Sequence, residues 1–524
     1  MRNIAIDAIS IASDLTRFGE VVAGTSKERQ VVEVIKGFIE DYVDRIFIEP
    51  VEVLSWNEEF CMIYIDNIPY RCSLHPPYNG YVDLEIGIED LIFIKEFNDV
   101  VKLSKTLEGK IIVVENIDDP NYVAIYAYTL RKLNPVAIVF SDRIDTLRKV
   151  VAIDDLLSRY SPIPPPRIPA IHIERSTGLK LRSSENSAIH IIAKSCLKPS
   201  HGFNILAEVN GRDRDSIYLA AHHDRWFNSL VDDSLGVAVL LSLARSELLS
   251  KTIKVNTILT FFTAEEGFPN PLSSFYWLVG SRHHVVKNVE KISSEVRLVV
   301  NLDVVYRGRT VFSTSNLFAR GLLMKIGIDY RDIEHDSMLF DSFPFTLVGV
   351  PSVTIHNYYD AIKDGIYHST LDNVDLIQRI DVEHVDNIVH NIYTLVKMFQ
   401  EVHRTPRLTE VIDLGLKTLA KELAHNLSNL DVVFYLYKVF RKFLYCNSKS
   451  NTTYSYLLPI IHRVLTSTYI PKSIYRGEEI YERTSYLACL DNVIYLPQGI
   501  EMNRDECYRR LLHDLESLTY ILRC

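Results

Sequence analysis

Four places in the chain end an apolar run with side chains that can bind a cation or move a proton. The run "SIYLAA" (216–221) is followed at once by His222, His223 and Asp224, and soon after by Asp232 and Asp233. The run "VNTILTFF" leads through Thr263 and Ala264 to the pair Glu265 and Glu266, and "VRLVVNL" leads to Asp303. A fourth run, "GVPSVTI", is followed by a loop containing "YHSTLDN", with His368. A lone Asp or His in such a loop is usually a cap or a solvated residue. Four loops offering these types together are another matter, because two imidazoles and three or more carboxylates suit two zinc-like ions. A carboxylate shared between two ions holds them about 3.5–4 Å apart, a spacing that clamps a reacting water. In an adjacent Glu pair one residue can bind metal while its neighbour stays free to carry protons. The chemistry implied is metal-assisted hydrolysis.

These residues meet only if their strands lie side by side and point the same way. The region 203–403 alternates buried strands with helices: "SLGVAVLLSLARSELL" (234–249), a helix within 272–289, and "VDNIVHNIYTLVKMFQEV". That pattern predicts an α/β fold, a mostly parallel mixed sheet flanked by helices. Such sheets gather their sites at the carboxyl ends of the strands. Before this region, "SKERQVVEVIKGFIEDYV" puts Val31, Val32, Ile35, Phe38 and Ile39 on one helix face, and "RIFIEPVEVLSW" alternates as a strand. Residues 55–195 differ in texture, with many short apolar runs, one helix-like stretch "NYVAIYAYTLRKL" and a proline-rich extended loop "SPIPPPRIP". After Pro406 the pattern is mostly helical. Three parts are expected: a discontinuous core of 1–54 and 196–404, an inserted β-rich module of 55–195, and a helical domain of 405–524.

The bulk properties narrow the class. A chain of 524 residues exceeds one core, and 47% apolar with 24% charged residues describes an ordinary globular protein. A net charge of −10 with no basic stripe argues against nucleic acid as a partner. Asp7 and Asp14 interrupt the segment where a signal peptide would need an apolar run, and no window of about 18 uncharged apolar residues appears, so no membrane span is expected. Seven scattered cysteines without a C-x-x-C pair read as reduced thiols in a cytoplasm.

The order His-x-Asp, an Asp ten residues after that His, Glu-Glu, Asn-x-Asp and a late Tyr-His-Ser resembles metallopeptidase family 28, which includes bacterial leucyl aminopeptidases and glutamate carboxypeptidases. The resemblance implies that His222, Asp232, Glu266, Asp303 and His368 hold two zinc ions (Co²⁺ or Mn²⁺ as substitutes), with Asp232 bridging. It implies Glu265 as the general base that takes a proton from the attacking water, and Asp224 as the partner that orients His222. Tyr367, beside His368, is a candidate hydroxyl donor to the oxyanion. "HHDRWFNSLVDDSLG" and "YHSTLDN" are similar to the glutamate carboxypeptidase and transferrin-receptor branch, and "LEGKIIVVEN…NPVAIVFSD…IPAIHI" resembles a protease-associated (PA) domain. That branch implies a C-terminal helical domain that pairs two subunits, hence a homodimer. The activity implied is an exopeptidase acting on peptides, first an aminopeptidase. The alternatives are a glutamate-type carboxypeptidase or dipeptidase, and a non-catalytic interaction protein like the transferrin receptor.

Other residues carry plainer expectations. His223 should point away from the site by strand alternation, and Asp233 should cap the following helix. The segment 267–279 reads as an insertion beside the metals, a possible lid. His283 and His284 read as surface residues and His356 as a satisfied core histidine. Asp341 is either a cavity-facing acid or a turn residue. Asp372 should cap "VDLIQRI" or brace the His368 loop, and Trp226 and Phe227 line the pocket or pack.

Overall fold

The computed structural model describes residues 1–424, apart from 96–98, 100–106, 118, 156–161, 185–186, 214, 315, 335 and 404–406. Beyond 424 it describes a hairpin (Tyr469–Tyr475 with Glu478–Arg483) and a few scattered helical residues. Most of the helical domain expected over 405–524, and with it the expected dimer contact, lies outside the described residues.

The strands are β1 (Arg45–Ile65), β2 (Ile68–Leu74), β3 (Gly80–Gly87), β4 (Leu91–Ile94), β5 (Ile111–Ile117), β6 (Ala137–Asp142), β7 (Ala170–Ile173), β8 (Ala188–Val209), β9 (Ser216–His222), β10 (Asn256–Phe262), β11 (Phe268–Pro269), β12 (Val296–Leu302), β13 (Val311–Ser313), β14 (Ile333–Glu334) and β15 (Ser352–His356). One mixed sheet runs β14-β13-β15-β12-β9-β10-β8-β1-β2-β7-β6-β5-β4, with β11 added to β1 and β3 to β8. Its functional part is the parallel run β15-β12-β9-β10. All seven residues of β9 are buried, as a strand covered by helices on both faces must be. The expected α/β class is therefore the observed one.

Helices Arg2–Thr16, Ser26–Ile39, Ser234–Arg245 and Val382–Val402 pack one face of this run. Ala8, Val31, Leu235, Val239, Ile388 and Leu395 join Leu219 and Leu259 in its largest apolar core. Thr25 starts the second of these helices by accepting from the Glu28 amide. Helix Arg407–Ala424 contributes Val411, Ile412 and Leu416 to the same core.

The expected boundaries at 54/55 and 195/196 fall inside continuous strands. β1 and β8 pair antiparallel from Arg45↔Glu208 to Ile65↔Ile189, running from the main core into the inserted module. There the module builds its own parallel run β7-β6-β5-β4 over a separate apolar core.

The expectation of reduced thiols fails at one pair. Cys61 and Cys72 form a disulfide, with Cα atoms 5.1 Å apart. The β1–β2 hairpin pairs Met62 with Arg71, so the two cysteines face each other across the ladder. Only register, which cysteine spacing does not reveal, brings them together. Among the described residues Cys196 is free and exposed. No helix among the described residues is long and apolar enough to cross a membrane.

Candidate metal centre

All five residues expected to bind metal meet at the carboxyl ends of the parallel strands. Ligand atoms of His222, Asp232 and Asp303 lie within 4.8 Å of one another, and so do those of Asp232, Glu266 and His368. Asp232 belongs to both groups. The adjoining strands β9, β10 and β12 deliver His222, the Glu265–Glu266 pair and Asp303, because their parallel register aligns their ends. Asp232 and His368 arrive on loops.

Both imidazoles are oriented by backbone carbonyls. His222 Nδ1 donates to Asp224 O at 3.0 Å, which turns Nε2 to Asp232 Oδ1 at 3.1 Å. His368 Nδ1 donates to Lys149 O at 3.1 Å, which turns Nε2 to Glu266 Oε1 at 2.6 Å and Asp232 Oδ2 at 3.5 Å. His368 Nε2 is nonetheless buried without a directed hydrogen bond. A ring nitrogen held inward by a hydrogen bond on its other side is the arrangement of a metal-ligating histidine.

Asp224 orients His222 through its backbone oxygen, while its carboxylate does something the sequence did not reveal. Its two oxygens accept from the backbone N–H groups of Glu265 and Glu266, at 3.0 and 3.1 Å, and so shape the Glu-Glu turn. Trp226 Nε1 donates to Glu266 Oε2 at 2.9 Å and orients that carboxylate. Asp372 does not cap the helix after it, a role taken by Asn373. Its carboxylate instead accepts from the amides of Leu230, Val231 and Asp232 and from Ser229 Oγ, bracing the Asp232 loop. Asp233 caps helix Ser234–Arg245 as expected, accepting from Gly236 N. A Cβ on Gly236 would lie 2.2 Å from that carboxylate, so a side chain there would displace the cap.

Three residues at the site hold left-handed backbone: His368 (φ 55°), Ala264 (φ 52°) beside the Glu pair, and Val304 (φ 50°) after Asp303. Each costs roughly 1–2 kcal/mol in a non-glycine residue, and such strain collects where side chains must be aimed.

The electrostatics are those of a dry, crowded acidic site. Burial, with the charges of Glu266, Asp303 and Asp341 outweighing the pull of His222, holds Glu265 well above the usual carboxylate range. Burial and Asp232 do the same to Asp303. Burial opposes the charged form of His222 too, yet Asp224, Asp232, Glu265 and Asp303 raise it well above its ordinary value. Asp232 goes the other way: His222 and His368 overcome its burial and lower it. Clustered buried carboxylates with orphaned imidazole nitrogen are what a bound cation would neutralise.

The inserted module grips the His368 loop. Lys149 N donates to His368 O at 3.1 Å, and the buried Arg148 guanidinium donates to Tyr367 O at 2.7 Å and Gly365 O at 3.0 Å while pairing with Asp142. No local pattern in 55–195 marks these residues. The Tyr367 ring stacks on His368 with centroids 3.8 Å apart and packs against Tyr358.

Other expectations are settled by packing. His223 turns to Glu28, its Nε2 3.4 Å from Oε1. His284 is not a surface residue: it is buried, with Nδ1 2.9 Å from Glu49 and Nε2 3.2 Å from Tyr218, because its helix lies against the sheet. His283 is half-buried. His356 is a satisfied core histidine, meeting Ser313 and Glu334. Asp341 is buried close enough to His222 to feel its charge, and burial pushes it up to about 7. The 267–279 segment is packed: Phe268 is buried in β11 against β1, and Leu272, Phe275 and Leu278 are buried too.

Residues 204–393, which contain every candidate ligand, match the model of peptidase family M28. This part of the chain is similar to peptidase family M28, a family of metallopeptidases. The M28 fold extends through solved relatives of low identity. A peptidase M28 precursor from Shewanella amazonensis SB2B superposes with a TM-score of 0.58 at 16% identity, over 75% of this chain and 94% of that one. BSAP, a zinc aminopeptidase from Bacillus subtilis, superposes at 0.57 with 18% identity, over 76% and 94%. No curated protein matches the chain significantly.

Proposed function

We propose that the protein is a dinuclear zinc aminopeptidase, with His222, Asp232 and Asp303 holding one ion, Asp232, Glu266 and His368 the other, and Glu265 as general base. The observation that carries this reading is the pair of three-residue ligand groups joined at Asp232. Two imidazoles and three carboxylates are the donor set that zinc prefers. When bound, the ions supply Lewis acidity toward a scissile carbonyl and a water of lowered pKa.

The chain's own groups do the rest. Glu265, buried and held high by its neighbours, accepts a proton from the attacking water and returns it to the leaving nitrogen. Asp224 holds the backbone of Glu265 and Glu266 through both amides, so that Glu266 would hold an ion while Glu265 stays free for the proton. Tyr367 acts as a positioning residue, its ring holding His368 flat by stacking. Trp226 holds Glu266, and Lys149 with Arg148 holds the loop of His368.

Hydrolysis of amino-acid 4-nitroanilides compared with N-acylated dipeptides tests the specificity, alongside a count of bound zinc. Cleavage of the free-amine substrates by protein holding two zinc ions supports the reading. Cleavage confined to N-blocked dipeptides would make the enzyme a carboxypeptidase of the glutamate type.

A further inference from the structure

A second group of metal-binding side chains lies at the opposite end of the sheet. Ligand atoms of Asp213, Asp215 and His403 all fall within 4.8 Å of one another. Asp213 and Asp215 sit in the turn that leads into β9, and His403 caps the end of helix Val382–Val402. β9 is seven residues long, so this group stands roughly 20 Å of strand away from His222.

The decisive atom is His403 Nε2. The imidazole stacks on Phe399 with centroids 4.6 Å apart, and its side chain is only 9% exposed. Nδ1 lies 3.2 Å from Phe399 O. A carbonyl only accepts, so Nδ1 is the donor and Nε2 is left to face the carboxylates. Nε2 is buried and has no hydrogen bond. It lies 3.5 Å from Asp215 Oδ2 and 3.7 Å from Asp213 Oδ2. Those distances exceed a directed N–H···O contact of about 2.7–3.2 Å. They fit ligands on one tetrahedral ion, whose donor atoms stand about 3.4 Å apart when each bond is about 2.1 Å.

The three donors are also held in place without an ion. Asp215 Oδ1 lies 3.3 Å from Arg297 Nε, while Oδ2 faces His403 Nε2. The amides of Arg212 and Asp213 donate to Lys254 O, and Gly211 N donates to Asn256 Oδ1. A Cβ on Gly211 would lie 2.2 Å from Lys254 O, so the turn fits only with glycine there. The last turns of the helix are pinned to the same segment, since Lys254 N donates to Gln400 Oε1 and Gln400 Nε2 to Thr252 O. A preformed mixed N/O donor set favours a zinc-like divalent ion over calcium or magnesium, which take oxygen ligands.

We infer that Asp213, Asp215 and His403 bind a structural divalent transition-metal ion of the zinc class, which staples the turn before β9 to the end of helix Val382–Val402. The test compares the full-length protein with His403→Ala. Both are loaded with zinc, freed of excess by gel filtration, and assayed for zinc per chain, Tm and peptidase activity. The expected result is one zinc fewer per chain in the variant, activity within about twofold of wild type, and a smaller rise of Tm on adding zinc. Equal zinc content in the two folded proteins would overturn the inference and leave an ion pair. Should His403→Ala fail to fold, Asp213→Asn must show the same loss of one zinc, and full retention there overturns it equally. Because the comparison counts a difference between two proteins, it holds whatever number of ions the catalytic centre carries.

Discussion

At the carboxyl ends of β9, β10, β12 and β15 two histidines and several carboxylates surround Asp232, whereas at the amino end of β9 one histidine faces two aspartates. Both histidines of the first group and the histidine of the second have Nδ1 fixed by a backbone carbonyl and Nε2 turned to acids. The surroundings separate them. The catalytic end is assembled from strand ends and long loops, several with left-handed backbone, and is braced from outside by Asp224, Asp372, Trp226 and the inserted module. The opposite end is a short turn against one helix terminus, pinned by backbone hydrogen bonds. On the readings proposed above, similar donors would serve chemistry beside an unligated acid such as Glu265 at one end and cohesion at the other.

The largest effect should come from that acid. Glu265→Gln keeps the shape and removes the base, so kcat should fall by about 10²- to 10⁴-fold while zinc content stays at the wild-type value. Near-normal turnover by the variant would erase the contrast between the two ends.

Arg148 tests the reach of the inserted module. Arg148→Ala leaves the buried Asp142 with only His172 and the Ile144 amide and frees the carbonyls of Gly365 and Tyr367. Loss of a buried partner costs about 3–5 kcal/mol. Denaturant unfolding should register that loss, and zinc should bind more weakly at the His368 side.

A smaller effect is expected at Trp226. Trp226→Phe keeps most of the packing and removes the donor to Glu266, and a lost partner of a metal ligand typically weakens binding by about 10-fold or more. Competition with a graded chelator reads this, and unchanged affinity would mean that Trp226 only packs.

The smallest concerns Glu49, which belongs to neither metal group. Burial raises its pKa, but hydrogen bonds and charge from His284, with help from Asn204 and Lys287, carry it down to about 2. The folded value lies below the unfolded one, near 4.5, so the ionised pair stabilises the fold above that pH. The contribution fades as pH falls from about 4.5 to about 2. The urea midpoint of wild type should therefore approach that of Glu49→Gln over this window. A constant difference between the two proteins would show that the pair does not titrate there.

Much of the catalytic end was legible before any fold was known. His222, Glu265, Glu266 and Asp303 sit directly after apolar runs, and a strand that ends in a donor announces both its direction and its cargo. The Asp233 cap was legible for the same local reason. What the pattern hid lies across long separations. Arg148 and Lys149 are 217 to 219 residues from the carbonyls and ring they hold. Asp372 reaches back about 140 residues to the Asp232 loop, and His403 meets Asp213 and Asp215 from the end of helix Val382–Val402. His284 looked like a surface residue because its helix has a weakly amphipathic sequence, and the Cys61–Cys72 bridge was invisible because only the hairpin register pairs them.

By itself, then, the sequence determined the class of fold, the identities of the candidate ligands and the kind of chemistry they support, since each depends on residue type and on periods of two to four residues. The tertiary structure alone decided which backbone oxygens aim the histidines, which module clamps the His368 loop, and that a second donor group forms at the other end of the sheet. The reason is physical: strand and helix patterns are written by neighbours in the chain, while the aim of a buried side chain is set by groups that only packing brings near.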